Sequence, residues 1–482
     1  MKIGIIGGGI AGLTAAYELA KQGHEVAVFE KETELGGQAG TFLIEGTRLE
    51  RFYHHLFTSD RHILQLIDEL GLSPRMRWID SQVGLFHHGK VYDFVTPLDL
   101  LRFTPLSLPN RLWAGLVSIY LQRQADWRKY EGITAKEWLE RYAGKSVYNA
   151  IWEPLLRSKF GDSYDEVSMT WFWGKMRLRF GSRPKGMQKE QLGYMEGSFQ
   201  LLIAGLEKRI KEMGGEVYTN APVERVVVEE GKATGLKFKV QSSKLTPLKK
   251  ACSEARPRAD FRTRGRLREL FSVDSKFKVP EEHPTWNLEP GTRNFDVIIA
   301  TVPSFAFTEM VPELPSDYVG KLRHAKYQSA LCLVLKMKQP LSHIYWMNIS
   351  DPGIPFVAAI EHTNYMPPEV YGDKHVLYLS NYLPLGSPLF ALSKDELLQK
   401  YLPHVQRINP KFDLDWVEES WLFRDDAGQP IITCHYSQQV PDHRTPIQGL
   451  YLANTSQIYP EDRGMNYSVH LGQKIASIVQ AQ

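Results

Sequence analysis

The stretch MKIGIIGGGIAGLTAAYELAKQGHEVAVFE, residues 1–30, decides the fold of this chain. An apolar run, Ile3 to Ile6, enters Gly7-Gly8-Gly9-Ile10-Ala11-Gly12. A helical pattern follows through Leu13, Ala16, Tyr17, Leu19 and Ala20, and a second apolar run, Val26 to Phe29, ends on Glu30. Strand, glycine turn, helix, strand and acid in that order form the unit that binds a dinucleotide. Gly7 permits the tight turn, Gly9 lets backbone N–H groups approach a pyrophosphate, and Gly12 lets the helix pack close to the sheet. The helix N-terminus adds partial positive charge toward the phosphates. Glu30 stands where a carboxylate accepts from ribose hydroxyls, which disfavours a 2′-phosphate.

A second glycine cluster, Leu35-Gly36-Gly37-Gln38-Ala39-Gly40-Thr41, lies just beyond Glu30. It offers more side-chain-free backbone beside the same pyrophosphate, as a larger ligand lying extended through the protein requires. Near the other end, a short apolar strand from Leu450 to Ala453 enters a turn carrying Tyr459, Glu461, Asp462 and Arg463. A final helix is expected from about Asn466 to Val479. FAD therefore fits better than NAD. No second strand–glycine–helix unit occurs, so a separate nicotinamide domain is not expected.

On these motifs the chain resembles the flavin-dependent amine oxidase superfamily, which includes protoporphyrinogen oxidases, phytoene desaturase-type enzymes and, more distantly, UDP-galactopyranose mutase. Two middle landmarks extend the resemblance: Gly193 to Leu202 opening a helix that ends at Gly214-Gly215, with Ala221-Pro222-Val223 after it, and the returning strand Phe295 to Ala300. The resemblance implies that Gly7, Gly9, Ile10, Ala11, Gly12, Glu30, Lys31, Gly36, Gly37 and Val223 bind FAD. It also implies that Gly464, Met465 and Asn466 meet the flavin edge, where a helix N-terminus stabilises the reduced, anionic ring. Asp462 would face the ribitol or pyrophosphate. Where family members carry arginines beside the double glycine, this chain has Glu34 and Gln38, and Asn454-Thr455 replaces the usual glycine–acid pair.

The expected fold class is α/β: a two-domain FAD-binding fold with a Rossmann-like βαβ unit, discontinuous in sequence, and a mixed α+β substrate domain. FAD-binding segments are expected at 1–74, 191–303 and 446–482. The substrate domain takes 75–190, read as helical, and 304–445. A basic stretch interrupts the second FAD segment at 237–290. From Lys237 to Lys278 it holds 13 basic and 4 acidic residues, which suits a solvated insertion.

Composition fits a folded enzyme, with 43% hydrophobic and 23% charged residues. A formal charge of +3 gives no reason to expect nucleic acid. Cys252, Cys332 and Cys434 have neither metal spacing nor a disulfide framework, so no metal is expected and a reducing, cytoplasmic compartment is the expectation. Met1 leads directly into the first strand, so no leader is expected. Leu98 to Leu121 is too broken to span a bilayer, leaving a buried helix or an interfacial one from Arg111 to Gln122, with peripheral membrane contact, as alternatives.

The first substrate segment is rich in aromatics, from Trp113 to Trp173, which either fill a core or wall an apolar cavity. Candidate catalytic residues are His55 and His54, which follow the second glycine cluster and could move a proton near the flavin. Arg157 and Lys159 could hold an anionic substrate or pair with Glu153 and Asp162. Tyr345, Glu361 and His362 are expected at the pocket floor, with at most one of the last two facing it if both lie in a strand. The expected activity is hydride transfer from an apolar or flat substrate to FAD, with oxygen or a quinone as acceptor. A mutase-like, non-redox role using Arg157, Lys159 and Arg183, and a flavin-binding protein without turnover, are the alternatives.

Overall fold

Strands buried on both faces carry unbroken apolar runs, and the runs beginning at Ile3, Val26 and Val297 do so. The computed structural model describes residues 1–181, 190–239 and 291–481. Five parallel strands stand in the order Glu216–Tyr218, Glu25–Phe29, Lys2–Ile6, Val297–Ala300 and Leu450–Leu452. The nucleotide sheet is thus assembled from distant parts of the chain. On one face the opening helix, Ile10–Lys21, crosses the closing helix, Met465–Gln480. A Cβ at Gly472 would stand 2.6 Å from the Ala11 carbonyl oxygen, so glycine sets how closely the two approach.

The other face carries an antiparallel sheet of Val223–Glu229, Lys232–Phe238 and Gly291–Asn294. Phe29 packs there among Tyr218, Phe238 and Phe295. Phe238 pairs with Gly291, so the basic stretch links two neighbouring strands and begins after Phe238 rather than at Lys237. Residues 240–290, which hold most of that stretch, lie outside the described residues, as does Arg183. Helices Ser304–Met310 and Ser316–His324 also pack here, through Phe307, Tyr318 and Leu322. By packing, the substrate layer begins after them and not at 304.

That layer is built on a seven-stranded sheet in the order Val417–Pro430, Tyr327–Met337, His375–Pro384, Ala358–Glu361, Trp346–Ile349, Val83–His87 and Lys90–Asp93. Tyr327–Met337 alternates as a strand must. Cys332 and Val334 join the core shared with the nucleotide domain, while Leu331, Leu333 and Leu335 face helix Lys394–Ile408.

The segment 75–190 is therefore not helical throughout. Met76–Asp80 pairs with Gln191–Met195, and the next two strands join the large sheet. Val83–His87 is buried at every position, and such a run has no period that separates strand from buried helix. Only from Pro97 onward do helices dominate, closing around Tyr130, Tyr148, Phe160, Trp171 and Phe172.

Candidate functional site

Two glycine turns meet at the end of the nucleotide sheet. The Gly36 amide donates to the Gly8 carbonyl at 2.8 Å, and a Cβ on Gly37 would stand 3.3 Å from Gly9 Cα. Gly12 has no room for a side chain, since a Cβ there would sit 2.0 Å from the Gly7 carbonyl oxygen. Glu30 closes the turn, accepting from the Gly8 amide at 2.7 Å and the Glu32 amide at 2.9 Å. Burial pushes its carboxyl upward, and those two amides oppose the shift.

The opening helix starts after Gly9 and the closing helix after Gly464, and neither has a side-chain cap. Helices of 12 and 16 residues thus present first-turn N–H groups and positive dipole ends to whatever lies before them. Around Gly464, a Cβ would meet nothing within 4 Å. Two backbone cradles free of side chains, one beside a buried acid and the other ahead of a second helix, suit the pyrophosphate and the ring of FAD. Gly9, Ile10, Ala11, Gly36 and Gly37 would hold the first, Glu30 the ribose, and Gly464 and Met465 the second. Val223 is buried, close to the Ala221 amide that donates to the Glu30 carbonyl, on the side expected for adenine. Lys31 is exposed beside Glu32.

A cavity of about 370 Å³ opens between the large sheet and the helical layer. Its walls include Leu85, Trp152, Leu155, Phe172 and Trp346, with Tyr53 and His55 contributed by the segment after the second glycine turn. Trp346 meets Tyr53 edge-on at 4.6 Å and His55 at 5.5 Å. Helix Leu108–Arg123 lines the cavity with Ala114, Gly115 and Ser118. Its outer side is apolar too: Leu108, Leu112, Trp113, Leu116 and Tyr120 are each more than half exposed. Ile119 belongs to both surfaces.

One corner of this chamber is basic. Lys159 and Lys175 share the Asp462 carboxylate at 2.5 and 3.0 Å, and Trp171 Nε1 donates to it at 3.0 Å. Burial alone would raise the Asp462 carboxyl, but Lys159 and Lys175 overcome that and hold it well below the carboxylate range. Burial, with the Lys159 charge behind it, lowers Lys175 to about 8 against the opposing pull of Asp462. Asp462 lies two residues before Gly464, or about 7 Å of extended chain. The basic corner therefore adjoins the start of the closing helix.

These contacts correct several expectations. Asp462, expected at the ribitol or pyrophosphate, is engaged by Lys159, Lys175 and Trp171 of the helical layer, and its charge does not suit a place against a phosphate. Asn466 spends its side-chain oxygen on the Ile63 amide, leaving its backbone and its side-chain NH2 for a ring. Arg157 is half exposed, pairing with Glu153 and the Tyr164 hydroxyl, and does not line the chamber. Glu361 accepts from the Leu341 and Ser342 amides at 2.9 and 2.8 Å, pinning a turn, and burial raises it to about 8. His362 begins a short helical turn and hydrogen-bonds the Tyr371 hydroxyl at 2.7 Å. Neither enters the chamber.

The histidines divide. His55 lines the chamber and lies 3.1 Å from the Tyr345 hydroxyl, and Tyr345 stacks behind it on Tyr365. His54 turns to the Phe52 carbonyl at 2.6 Å and does not line it. Burial, then the charges of Lys175 and Arg179, lowers His55 to about 3, and burial, then Arg463, lowers His54 to about 4. Both are neutral near pH 7. Sequence reading passed over Lys175 and Arg179, although Trp171, Lys175 and Arg179 recur at four-residue spacing and so share a helix face.

Residues 10–246 and 245–476 match the sequence model of the flavin containing amine oxidoreductases. The chloroplast/chromoplast 15-cis-phytoene desaturase of Arabidopsis thaliana is 24% identical over 251 residues, covering 48% of this chain and 43% of that protein. Mitochondrial protoporphyrinogen oxidase of Nicotiana tabacum is 27% identical over 202 residues, 40% of this chain and 39% of that protein. The chain thus spans about half the length of the curated relatives it matches, or somewhat less. An oxidoreductase from Methanosarcina mazei superposes with a TM-score of 0.70 at 18% identity, covering 100% of both chains, a likeness of fold. Matched along nearly its whole length, the chain belongs to the flavin containing amine oxidoreductase family, and FAD is the cofactor its joined glycine turns and uncapped helix starts are built to hold.

Proposed function

We propose that the protein is an FAD-dependent oxidoreductase that removes hydride from a C–H bond of an apolar, flat or elongated substrate held in the chamber, leaving a new double bond. The observation that carries this reading is the aromatic chamber adjoining the start of the uncapped closing helix. Bound FAD supplies the hydride acceptor. The chain supplies position and dryness: Trp152, Phe172 and Trp346 exclude water and hold a flat body, and the closing helix offers N–H groups to developing negative charge. His55, neutral and anchored at Tyr345, orients by hydrogen bonding. At about 3 its pKa is too low to retain a proton at neutral pH, so a proton released by substrate leaves for the solvent outside the chamber. Oxygen or a quinone takes the electrons onward.

Delivery from a lipid surface belongs to the same proposal. Helix Leu108–Arg123 contains no acid, carries Arg111 and Arg123, and joins its exposed apolar side to the chamber through Ile119. An anionic bilayer surface matches both its charge and its apolarity. No helix among the described residues is long and apolar enough to cross a membrane.

The test is anaerobic mixing of the flavin-loaded protein with a polyene and with a porphyrinogen, reading the visible flavin absorbance. Bleaching by either, restored by oxygen or a soluble quinone, supports the proposal. Protein that takes up no flavin overturns it. Flavin that stays reduced in air would point to the mutase-type alternative, for which Lys159 is at the chamber while Arg157 points away from it.

A further inference from the structure

At the basic corner, among the described residues, two ammonium groups share one carboxylate oxygen. Lys159 and Lys175 converge from two helices, Glu153–Phe160 and Met169–Gly181, on the one carboxylate of Asp462. The neighbouring Arg463 donates to Gln429 Oε1 and the Tyr382 hydroxyl, with the Asp462 and Asp425 carboxylates acting on its charge. Arg179 lines the same cavity. A further acid near Lys175 is Asp60, which accepts from the Phe57 amide. The accessible surfaces show which way the corner faces: the Asp462 side chain is 4% accessible, whereas Lys159 and Lys175 keep 18% and 28%. Lys159 and Lys175 line the cavity, and Asp462 does not.

An ammonium has three donors, and a buried cation without full compensation is costly. A ligand anion entering this corner would meet remaining donors and relieve that cost. A ligand cation would meet the lysines first.

We propose that the chamber selects an amphipathic anion, whose apolar body lies against Trp152, Phe172 and Trp346 and whose carboxylate or phosphate end pairs with Lys159 and Lys175. This rests on the chamber being the substrate site, and it sets the specificity of that site against amines. Lys159 and Lys175 are specificity-determining residues here.

The experiment titrates the flavin-loaded protein, by tryptophan fluorescence, with laurate, dodecyl phosphate, dodecanol and dodecylammonium below their micellar concentrations. All four share one apolar body. Laurate or dodecyl phosphate is expected to bind at least about tenfold more tightly than dodecanol, the worth of one charge-assisted hydrogen bond. Dodecylammonium is expected to bind most weakly, and the order of the two anions identifies the headgroup. Lys159→Met and Lys175→Met should each remove most of the anion's advantage, Lys175→Arg should keep it, and Arg157→Gln should leave it unchanged.

Equal binding of laurate, dodecyl phosphate and dodecanol, or tighter binding of the amine, overturns the inference. So does an anion preference that survives in both methionine variants. Should those variants fail to fold, the comparison of the four ligands on the unaltered protein decides alone. Reduction of the flavin by substrate is scored separately. Turnover without anion preference sinks only this inference, and anion binding without turnover sinks only the oxidoreductase reading.

Discussion

The nucleotide end and the chamber are built on opposite plans. At the nucleotide end, backbone does the work: glycine turns touch because side chains are missing, and helix starts are left uncapped. In the chamber, side chains from at least five separated stretches, carrying His55, Leu85, Lys159, Lys175 and Trp346, converge on one space. A site of backbone tolerates almost no added atoms. A site of side chains tolerates change in one wall and fails where charge is lost.

The strongest test of that contrast is Gly12→Val. Its Cβ would overlap the Gly7 carbonyl oxygen, so the variant is expected to lose FAD altogether, read as visible absorbance per protein. Gly464→Ala is the control at the other cradle. Its Cβ meets no protein atom within 4 Å, so flavin should be retained. Loss of flavin there would mean that this backbone is approached more closely than proposed.

On the chamber's outer wall, Leu112→Glu with Leu116→Glu should lower binding to anionic vesicles by at least about tenfold, since it withdraws apolar area and adds repulsion. Flotation measures it, and both side chains are exposed enough for the melting temperature to hold. Unchanged flotation would remove the lipid surface from the proposal.

Next is the pH response of the basic corner. Lys175 must be protonated to attract an anion, and its pKa is lowered to about 8. Laurate affinity should therefore hold below pH 8 and fall as pH rises through it. Lys159, Asp462, Arg179, His55 and Asp60 surround that titration, and His55 is already neutral across the range. An affinity that stayed flat across pH 8 would remove Lys175 from the site.

Glu361→Ala should cost about 1–3 kcal/mol of folding stability by orphaning two amides, with ligand binding in the chamber unchanged. Denaturant unfolding reads the first and the fluorescence titration the second. Smallest is Arg157→Gln. Its pairing with Glu153 is half exposed, so a loss of no more than about 1 kcal/mol is expected.

Glu361 and His362 show where linear reading stops. Neighbours in a strand point to opposite faces, so the sequence allows at most one of them to face the pocket. The strand ends at Glu361, however, and His362 opens a helical turn. Both side chains satisfy groups that only the folded chain brings near. Asp462 teaches the same lesson, since its place in the sequence beside the flavin-edge turn said nothing of two lysines about 290 and 300 residues earlier.

By itself the sequence determined the nucleotide unit and both uncapped helices. The closing helix, expected from about Asn466 to Val479, spans Met465–Gln480. Those features depend on local conformation, on where glycine sits and on apolar period, and local order is written locally. The tertiary structure decided the chamber, the side of the lysines facing it and the exposure of helix Leu108–Arg123. Those depend on burial and charge among residues far apart in the chain, and neither quantity exists until the segments are packed together.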